Sequence, residues 1–379
     1  MPLTDKPALN HHQAVQEVYR WTPQIRDYDS FMHIGARWVP YTMYFHEKNF
    51  RSPTINTDAF GFRYSEHEGQ RFSVTELPTN GKVNLLVGGS TALGVGATRD
   101  AFTVASRLSE LTGEVWLNFA GRGYNSTQEL LMFLMHQNRL GDINRVVVLS
   151  GINTLALEGI PDEFASEHGR YYYSFEFQHY MNKFNEDMQR KKNSFGSKGG
   201  ESWLQRCKKA LFYENPADEV ITDEGISLDA RLERAAESIT GALKQWQLLL
   251  SGSGATLSFV LQPLSHWCRD HLTAEEEAVF HAIDSCPNNF YRLFSGVLGK
   301  EVHAPFFAHI QAKAGDIRCL DMNAMLKQSP VFNETLFVDR VHFNDMGNEQ
   351  LAILISAELG LYREQKHEHH SKNLESVQA

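Results

Sequence analysis

Residues 82–96 read KVNLLVGGSTALGVG, and this stretch decides the fold. Its apolar run LLV has no helical period and is bounded by glycine, which is typical of a buried strand in a parallel sheet. Gly88 and Gly89 let the backbone turn sharply at the carboxyl end of that strand, where open α/β sheets bind their ligands. Ser90 stands at this turn, ahead of a helix predicted over 99–111, so we expect its hydroxyl to be exposed near a helix amino end.

Three kinds of site can follow a strand through a glycine-rich turn. A Walker A phosphate loop needs Gly-Lys-Ser/Thr, but Val95 and Gly96 follow Gly94 here. A dinucleotide fingerprint needs a third glycine at position 99, which is arginine. A nucleophilic serine survives both tests, and the alternative is that Ser90 only caps a helix or loop.

Composition and charge limit the class of protein. The chain has 379 residues, 42% of them hydrophobic and 22% charged, which suits one large α/β domain with additions. The formal net charge of −10 argues against nucleic acid or an anionic membrane as a partner. We find no apolar run near the ~20 residues of a membrane span and no secretory signal layout. The scattered cysteines fit reduced thiols rather than disulfides or a zinc site, so we expect a cytoplasmic protein.

Strands and helices alternate along the rest of the chain, which predicts an α/β fold with a parallel sheet. Further strands are predicted at 115–119, 146–149, 256–261 and 318–321, with helices at 127–139, 228–250, 303–313 and after Asn344 or Asp345. The turns after the first three strands carry Ser90, Asn125 and Asn153. Right-handed crossovers place these turns at one edge of the sheet.

We divide the chain into five segments. They are an N-terminal extension packed on the core (1–80), the first half of the core (81–157), an insertion or lid (158–227), the second half of the core (228–360) and a polar tail (361–379). The insertion contains the aromatic run GRYYYSFEF at 169–177, whose three tyrosines could line a substrate cleft, with Tyr171 and Tyr173 as candidates for contact with the substrate. The alternative is that they pack the insertion onto the core. Its RKKNSFGSKGG stretch reads as a solvated loop.

A base that could activate a serine stands near the carboxyl end. Asp339 and His342 are three residues apart, so both side chains can lie on one side of the chain. The carboxylate can accept the imidazole Nδ1 proton, and Nε2 is then directed at a serine hydroxyl, which is a poor nucleophile until a base takes its proton. The developing oxyanion needs donors, and the N–H groups of Gly123 and Ser90 and the side-chain amide of Asn153 can supply them.

Four short blocks carry a resemblance to a known family. They are GGST with Ser90, NFAGRG with Gly123, SGIN with Asn153 and DRVH with Asp339 and His342. In this order they resemble the blocks of the SGNH hydrolase (GDSL-type esterase) superfamily, over residues 82–360 apart from the insertion. The resemblance implies a flavodoxin-like three-layer fold and serine acyl transfer. Ser90 would be the nucleophile, His342 the base and Asp339 its orienter, with Ser90, Gly123 and Asn153 as the oxyanion hole.

The sequence departs from the family pattern at two positions. It has GGS in place of GDS, so the turn needs another support, and GINT in place of GxND, which keeps Asn153 and puts Thr154 in place of the aspartate. The GxSxG elbow of α/β-hydrolases does not fit, because position 92 is alanine. These residues require no metal and no organic cofactor.

We therefore expect a serine esterase that cleaves an O-acyl ester, such as an acetyl ester. Family members with GGST and a segment like NTDAFGFR resemble carbohydrate-linked enzymes, so a sugar ester is the first expectation for the substrate. Arg63 of that segment is a candidate substrate-binding residue, and the alternative is an ion pair. Two other functions stay open: an acyltransferase or thioesterase that uses an acyl carrier, and a binding protein without turnover.

Overall fold

The computed structural model describes residues 9–34, 37–79, 81–162, 165, 169–194, 226–286 and 290–362. Its strands are β1 (Arg37–Val39), β2 (Met43–Phe45), β3 (Ser65–His67), β4 (Gln70–Phe72), β5 (Lys82–Gly88), β6 (Trp116–Ala120), β7 (Asp142–Ser150), β8 (Thr256–Leu261) and β9 (Arg318–Asp321). The helices before the insertion are α1 (His11–Trp21), α2 (Ile25–Ile34), α3 (Ser90–Leu93), α4 (Val104–Thr112), α5 (Ser126–His136) and α6 (Ile152–Leu157). Those that follow are α7 (Ser174–Ser194), α8 (Leu228–Leu250), α9 (Ser265–Cys268), α10 (Ala274–Asp284), α11 (Phe290–Leu293), α12 (Lys300–Lys313), α13 (Met322–Lys327) and α14 (Asp345–Leu359).

A five-stranded parallel sheet forms the centre of the molecule. Its strand order is β6-β5-β7-β8-β9, with every neighbouring pair parallel. In the middle of the sheet Val87 lies opposite both Phe119 and Val148. The first strand of the sheet therefore lies between the second and the third, which is the flavodoxin-like order. The predicted α/β fold is confirmed.

Helices cover both faces of the sheet, because successive residues of a strand point to opposite sides. Leu85 and Val87 of β5 pack in one core with Trp246 of α8, together with apolar residues of α5 and α12. Leu86 packs in the other core with Leu108 of α4 and with apolar residues of α14. The sheet is therefore the middle of three layers, and its carboxyl edge is left to carry the polar turns.

Several predicted elements agree with the structure to the residue, namely β8, β9 and α8. The helix predicted over 99–111 is shorter, because Thr103 accepts the Ser106 N–H and caps α4, which begins at Val104. Ser90 itself is the first residue of the short helix α3. For α5 the cap is Asn125 rather than the predicted Ser126, since the Asn125 side chain accepts the Gln128 N–H.

The N-terminal residues make two antiparallel hairpins, β1–β2 and β3–β4, and pack on the sheet layers. Helix α1 contacts α10, and β3 contacts α4. Phe45 and Phe62 are fully or almost fully buried in the same core as β5. The extension therefore brings side chains of β2 close to the carboxyl edge of the sheet.

Helix α7 occupies much of the described part of the insertion and corrects one prediction. It continues to Ser194 and so includes the RKKNS residues that the sequence predicted as loop, because a run of straight-chain residues favours helix. Residues 195–225, with the rest of that stretch, lie outside the described residues, as does the tail from position 363. Among the described helices, none has the length and apolar character needed to cross a membrane.

Candidate active site

Three side chains from distant parts of the chain form a hydrogen-bonded series at the carboxyl edge of the sheet. His342 Nε2 lies 2.6 Å from Ser90 Oγ, and His342 Nδ1 lies 2.6 Å from Asp339 Oδ2. A carboxylate can only accept, so Nδ1 carries the imidazole proton and Nε2 accepts from the serine hydroxyl. The structure thus brings together the serine, histidine and aspartate that the sequence singled out, in the protonation pattern that activates a serine.

Asp339 is held in its ionised form by its surroundings. Its Oδ1 accepts the backbone N–H groups of Val341 and His342, each at 2.8 Å. Burial on its own raises the pKa of this carboxyl, but the electrostatic interaction and hydrogen bond with His342 and the two N–H groups outweigh it and lower the pKa below the ordinary value. The same bonds hold the loop before α14, so the carboxylate both orients the imidazole and shapes the turn that carries it.

The two glycines before Ser90 are required by close packing. Gly88 has a φ of 152°, and a Cβ there would lie 2.0 Å from the carbonyl oxygen of Leu149. A Cβ at Gly89 would lie 2.5 Å from Asn153 Nδ2. An aspartate at position 89 would therefore require the Asn153 amide to shift from this turn.

Thr91 and Gln262 make hydrogen bonds that support the turn at Ser90. The Thr91 hydroxyl donates to the carbonyl oxygen of Val341 at 2.9 Å and accepts from Gln262 Nε2 at 2.9 Å. Thr91 follows the serine, and Val341 precedes the histidine. These hydrogen bonds therefore join the turn at Ser90 to the loop that carries His342 and to the end of β8. The sequence carried no signal for them, because the two residues bonded to Thr91 are 171 and 250 positions away.

Three hydrogen-bond donors stand around the serine. Ser90, Gly123 and Asn153 all line one cleft together with His342. In the part of the chain that the structure describes, neither the Ser90 nor the Gly123 N–H donates to a protein acceptor. Asn153 Nδ2 donates one hydrogen to the Tyr124 carbonyl at 2.9 Å, which leaves its second hydrogen available. Asn125, the other polar turn residue, only caps α5 and bonds to the Arg170 carbonyl.

Side chains of the N-terminal extension hold the turn that carries Gly123. The Tyr44 hydroxyl donates to the Arg122 carbonyl at 3.0 Å, and the Arg122 N–H donates to His46 Nε2 at 3.0 Å. Burial lowers the pKa of His46 to about 3, so its ring is neutral and can accept this bond while Nδ1 donates to the Gly61 carbonyl. The extension therefore fixes the peptide that joins residue 122 to Gly123. Sequence reasoning missed this contact.

The cleft itself is small and is lined mostly by apolar and aromatic side chains. Its volume is about 250 Å³, and apart from the residues around Ser90 its described lining includes Tyr172, Tyr173, Phe290 and Phe294. Clefts that enclose drug-sized ligands have volumes of about 300–1,000 Å³. The space therefore suits a reacting ester and its adjacent groups, and a larger substrate would extend out of the mouth.

The three tyrosines of the insertion are divided between the cleft and the core. Tyr172 and Tyr173 of this run line the cleft. Tyr171 is 7% exposed and lies in the apolar core instead. Its packing corresponds to the alternative given for this run, so Tyr171 is not in a position to contact the substrate from the cleft wall.

Arg63 does not lie in the cleft, which corrects its suggested role. Its side chain has no exposed surface and pairs with Asp100 at 2.8 Å. The guanidinium also donates to the carbonyl oxygens of Thr54, Leu93 and Gly94. Arg63 therefore ties the extension to the loop after α3, and the ion-pair alternative describes it.

Metal ligation has no candidate in the described part of the chain, where no three or more His, Cys, Asp or Glu side chains are grouped to hold an ion. The histidines near position 369 lie outside the described residues.

Comparison with known proteins gives a likeness of fold. No family model and no curated protein matches the sequence. Similar solved structures include a GDSL-like lipase from Bacteroides thetaiotaomicron, with 11% identity, a TM-score of 0.36 and coverage of 75% of this chain and 90% of that one. A lipase from a goat rumen metagenome has 14% identity, a TM-score of 0.38 and coverage of 73% and 96%. An acetyl xylan esterase has 12% identity, a TM-score of 0.34 and coverage of 73% and 99%.

The sheet has the flavodoxin-like strand order. The strand order is the one that the resemblance implies, and the four sequence blocks meet at the carboxyl edge of the sheet. At such low identities and TM-scores the solved structures carry no argument about activity. The chemistry proposed for this chain rests on its own residues.

Proposed function

We propose that this protein is a serine hydrolase of the SGNH type that cleaves an O-acyl ester through an acyl-Ser90 intermediate. The single observation that carries the proposal is the series Asp339–His342–Ser90, with both His342 contacts at 2.6 Å, in a cleft that also contains the proposed donors.

The first half of the reaction forms the acyl-enzyme. His342 Nε2 takes the hydroxyl proton while Ser90 Oγ attacks the ester carbonyl carbon, and Asp339 stabilises the imidazolium that results. The carbonyl oxygen becomes an oxyanion, which accepts hydrogen bonds from the donors around the serine. When the tetrahedral intermediate collapses, the C–O bond to the alcohol breaks and the leaving oxygen takes the proton from His342.

The second half regenerates the serine. Water attacks the acyl carbon as His342 takes its proton, and collapse releases the acid with return of that proton to Ser90 Oγ. An alcohol or thiol that replaces water would instead give acyl transfer. Acyl transfer is a second candidate function because aromatic residues form part of the cleft wall, and apolar walls restrict water next to the acyl-serine. These residues are Tyr172, Tyr173, Phe290 and Phe294.

The substrate class follows from the resemblance and the cleft. A sugar O-acyl ester is the first candidate for hydrolysis, and an acyl group on a carrier is the candidate for transfer or thioester cleavage. The small cleft volume favours a short acyl group, such as acetyl. A binding protein without turnover is the least favoured reading, because the nucleophile, base, acid and amide donor are all present together.

A fluorophosphonate probe tests the nucleophile directly. We expect one adduct in the intact mass, located at Ser90, that is absent from folded Ser90→Ala and from heat-denatured protein. The Ser90→Ala variant should also lose nearly all hydrolysis of aryl acetates, because only the attacking oxygen is removed. Aryl acetate turnover by that variant at close to the parental rate would show that Ser90 is not the nucleophile.

Acyl esters offered with candidate acceptor alcohols distinguish the two reactions. Detection of an acyl-Ser90 adduct by intact mass, followed by release of the free acid, supports hydrolysis. Release only when an acceptor is added supports acyl transfer.

A further inference from the structure

The charged side chain in the described lining of the cleft is positive. Its described lining contains Arg122 and no aspartate, glutamate or lysine, although the chain as a whole has a formal net charge of −10. Most other lining side chains are apolar or aromatic. A positive charge in such a wall is only partly hydrated, so its interaction with an anion is stronger than in bulk water.

Arg122 differs from the buried arginines of this protein. Three of those have a carboxylate partner, namely Arg63 with Asp100, Arg269 with Glu276 and Arg340 with Asp284. Arg122 is a partly buried residue, and its guanidinium makes no ion pair or hydrogen bond with any described residue, although both backbone groups of Arg122 are bonded. The backbone is therefore held in place while the charged end of the side chain is unpaired.

The charge of Arg122 acts on the aromatic wall of the cleft. Burial and the neighbouring Tyr173 together raise the pKa of the Tyr172 hydroxyl to about 12, and the positive charge of Arg122 opposes the rise. The same charge opposes the rise at Tyr44. Arg122 lines the same cleft as Ser90 and His342, so its charge belongs to the wall around the proposed reacting centre.

We propose that Arg122 forms an anion subsite, and that the ester taken by this cleft carries a carboxylate or phosphate group close to the scissile carbonyl. The inference rests on the proposed function and deepens it by naming the charge class of the substrate. A guanidinium presents paired N–H donors that match both groups in a bidentate way. An acidic sugar or a phosphorylated alcohol or carrier would therefore be preferred over a neutral ester of the same shape.

Three aryl acetates of similar shape test the subsite: neutral meta-carbamoylphenyl acetate, meta-carboxyphenyl acetate and meta-acetoxyphenyl phosphate. The readout is kcat/KM for each anionic ester divided by that for the neutral one, after division by the rates of uncatalysed hydrolysis. We expect the parent to prefer at least one anionic ester by roughly tenfold or more, as for a charge-assisted hydrogen bond. The preference should shrink as salt is added. The carboxylate and phosphate arms distinguish the two kinds of anion.

Variants at position 122 assign the preference to the guanidinium. Arg122→Gln should lower the ratio roughly tenfold, to near one, and Arg122→Lys should retain part of it. Arg99→Gln removes an exposed arginine outside the cleft lining and should leave the ratio as in the parent. An equal loss on all three esters in Arg122→Gln would overturn the subsite, because it would place the charge on the oxyanion instead.

Failure of the inference and failure of the proposed function are distinguishable. Ser90-dependent turnover of the esters without charge discrimination in the parent would overturn the subsite alone. Absence of Ser90-dependent turnover of every ester, together with absence of fluorophosphonate labelling, would overturn the proposed function and the subsite with it.

Discussion

Single residues in this site each satisfy several contacts at once. Asp339 divides its two oxygens between the imidazole and two backbone N–H groups. Asn153 donates one amide hydrogen to the Tyr124 carbonyl, which orients the second. A substitution that keeps the shape of such a side chain but changes its hydrogens therefore tests chemistry rather than folding.

Asp339→Asn should fold and lose a large factor in kcat. An amide can donate to Nδ1 and so stabilise the tautomer that directs a proton, rather than a lone pair, at Ser90. Steady-state kinetics on an aryl acetate measures the loss, with Asp345→Asn, an acid of the first turn of α14, as the control. A loss of less than about tenfold would place this protein with sites that use a serine–histidine pair and a backbone carbonyl.

Asn153→Ala should lower kcat by roughly a hundredfold or more and change KM little, because a donor to the oxyanion acts mainly in the transition state. Initial rates over a range of ester concentrations separate the two parameters. A change confined to KM would instead assign Asn153 to substrate binding.

At the scale of elements, the site depends on strands and loops that are far apart in sequence. Tyr44 of strand β2 in the extension forms a hydrogen bond with the turn after β6. Gln262, directly after β8, forms a hydrogen bond with Thr91 in the turn at Ser90. The Arg63–Asp100 pair ties the extension to the core. The extension therefore contributes to the proposed oxyanion hole although it lies outside the four sequence blocks.

Tyr44→Phe should lower kcat several-fold to about tenfold with little change in KM. Its hydroxyl donates to the carbonyl of the peptide whose N–H belongs to Gly123, so the bond both orients that N–H and strengthens it as a donor. Kinetics on a small acetate ester measures the effect. Tyr64→Phe, which removes a tyrosine bond to Glu76 outside the cleft lining, is the matched control. Equal effects of the two variants on kcat would contradict a positioning role for Tyr44.

At the scale of the whole molecule, buried titratable groups make stability depend on pH in opposite directions. Burial lowers the pKa of His46 to about 3. As the pH falls below 6.5, His46 is therefore protonated in the unfolded chain but stays neutral in the folded protein. His46 therefore costs stability in acid. Burial raises the pKa of Glu129 to about 8 from 4.5, against the hydrogen bond from Ser150, so its folded form keeps a proton that the unfolded chain loses. Glu129 therefore costs stability as pH rises from 4.5 towards 8.

Glu129→Gln should remove the second dependence. The range from about pH 5.5 to 7.5 lies between the unfolded and folded pKa values of Glu129. Over this range the free energy of unfolding of the parent, relative to that of the variant, should fall by about 1.4 kcal/mol per pH unit. Urea unfolding of both proteins across this range measures the difference. Glu349→Gln, at an exposed position of α14, is the control and should run parallel to the parent. Parallel curves for the Glu129 variant would mean that this carboxyl is ionised in the folded protein.

The sequence by itself determined the features that depend on near neighbours. An apolar run bounded by glycine predicted β5, and a strand-like run that ends at Gln262 and Pro263 predicted β8. The three-residue spacing of Asp339 and His342 predicted their hydrogen bond. The succession of strands and turns predicted that Ser90, Asn125 and Asn153 would lie at one edge of the sheet, because crossovers in parallel sheets have a single hand. These properties depend on neighbouring residues or on the order of strands along the chain, so they can be predicted from the sequence.

Only the tertiary structure decided which distant side chains meet. From the sequence, Arg63 and Tyr171 were candidates to contact the substrate. Packing buries both side chains, and Tyr172 lines the cleft. The bonds of Tyr44 and His46 to residue 122 span 78 and 76 positions, and no periodicity or spacing in the chain indicates them. Burial depends on how whole layers fit together, and a buried polar group takes whichever partner that fit places within reach.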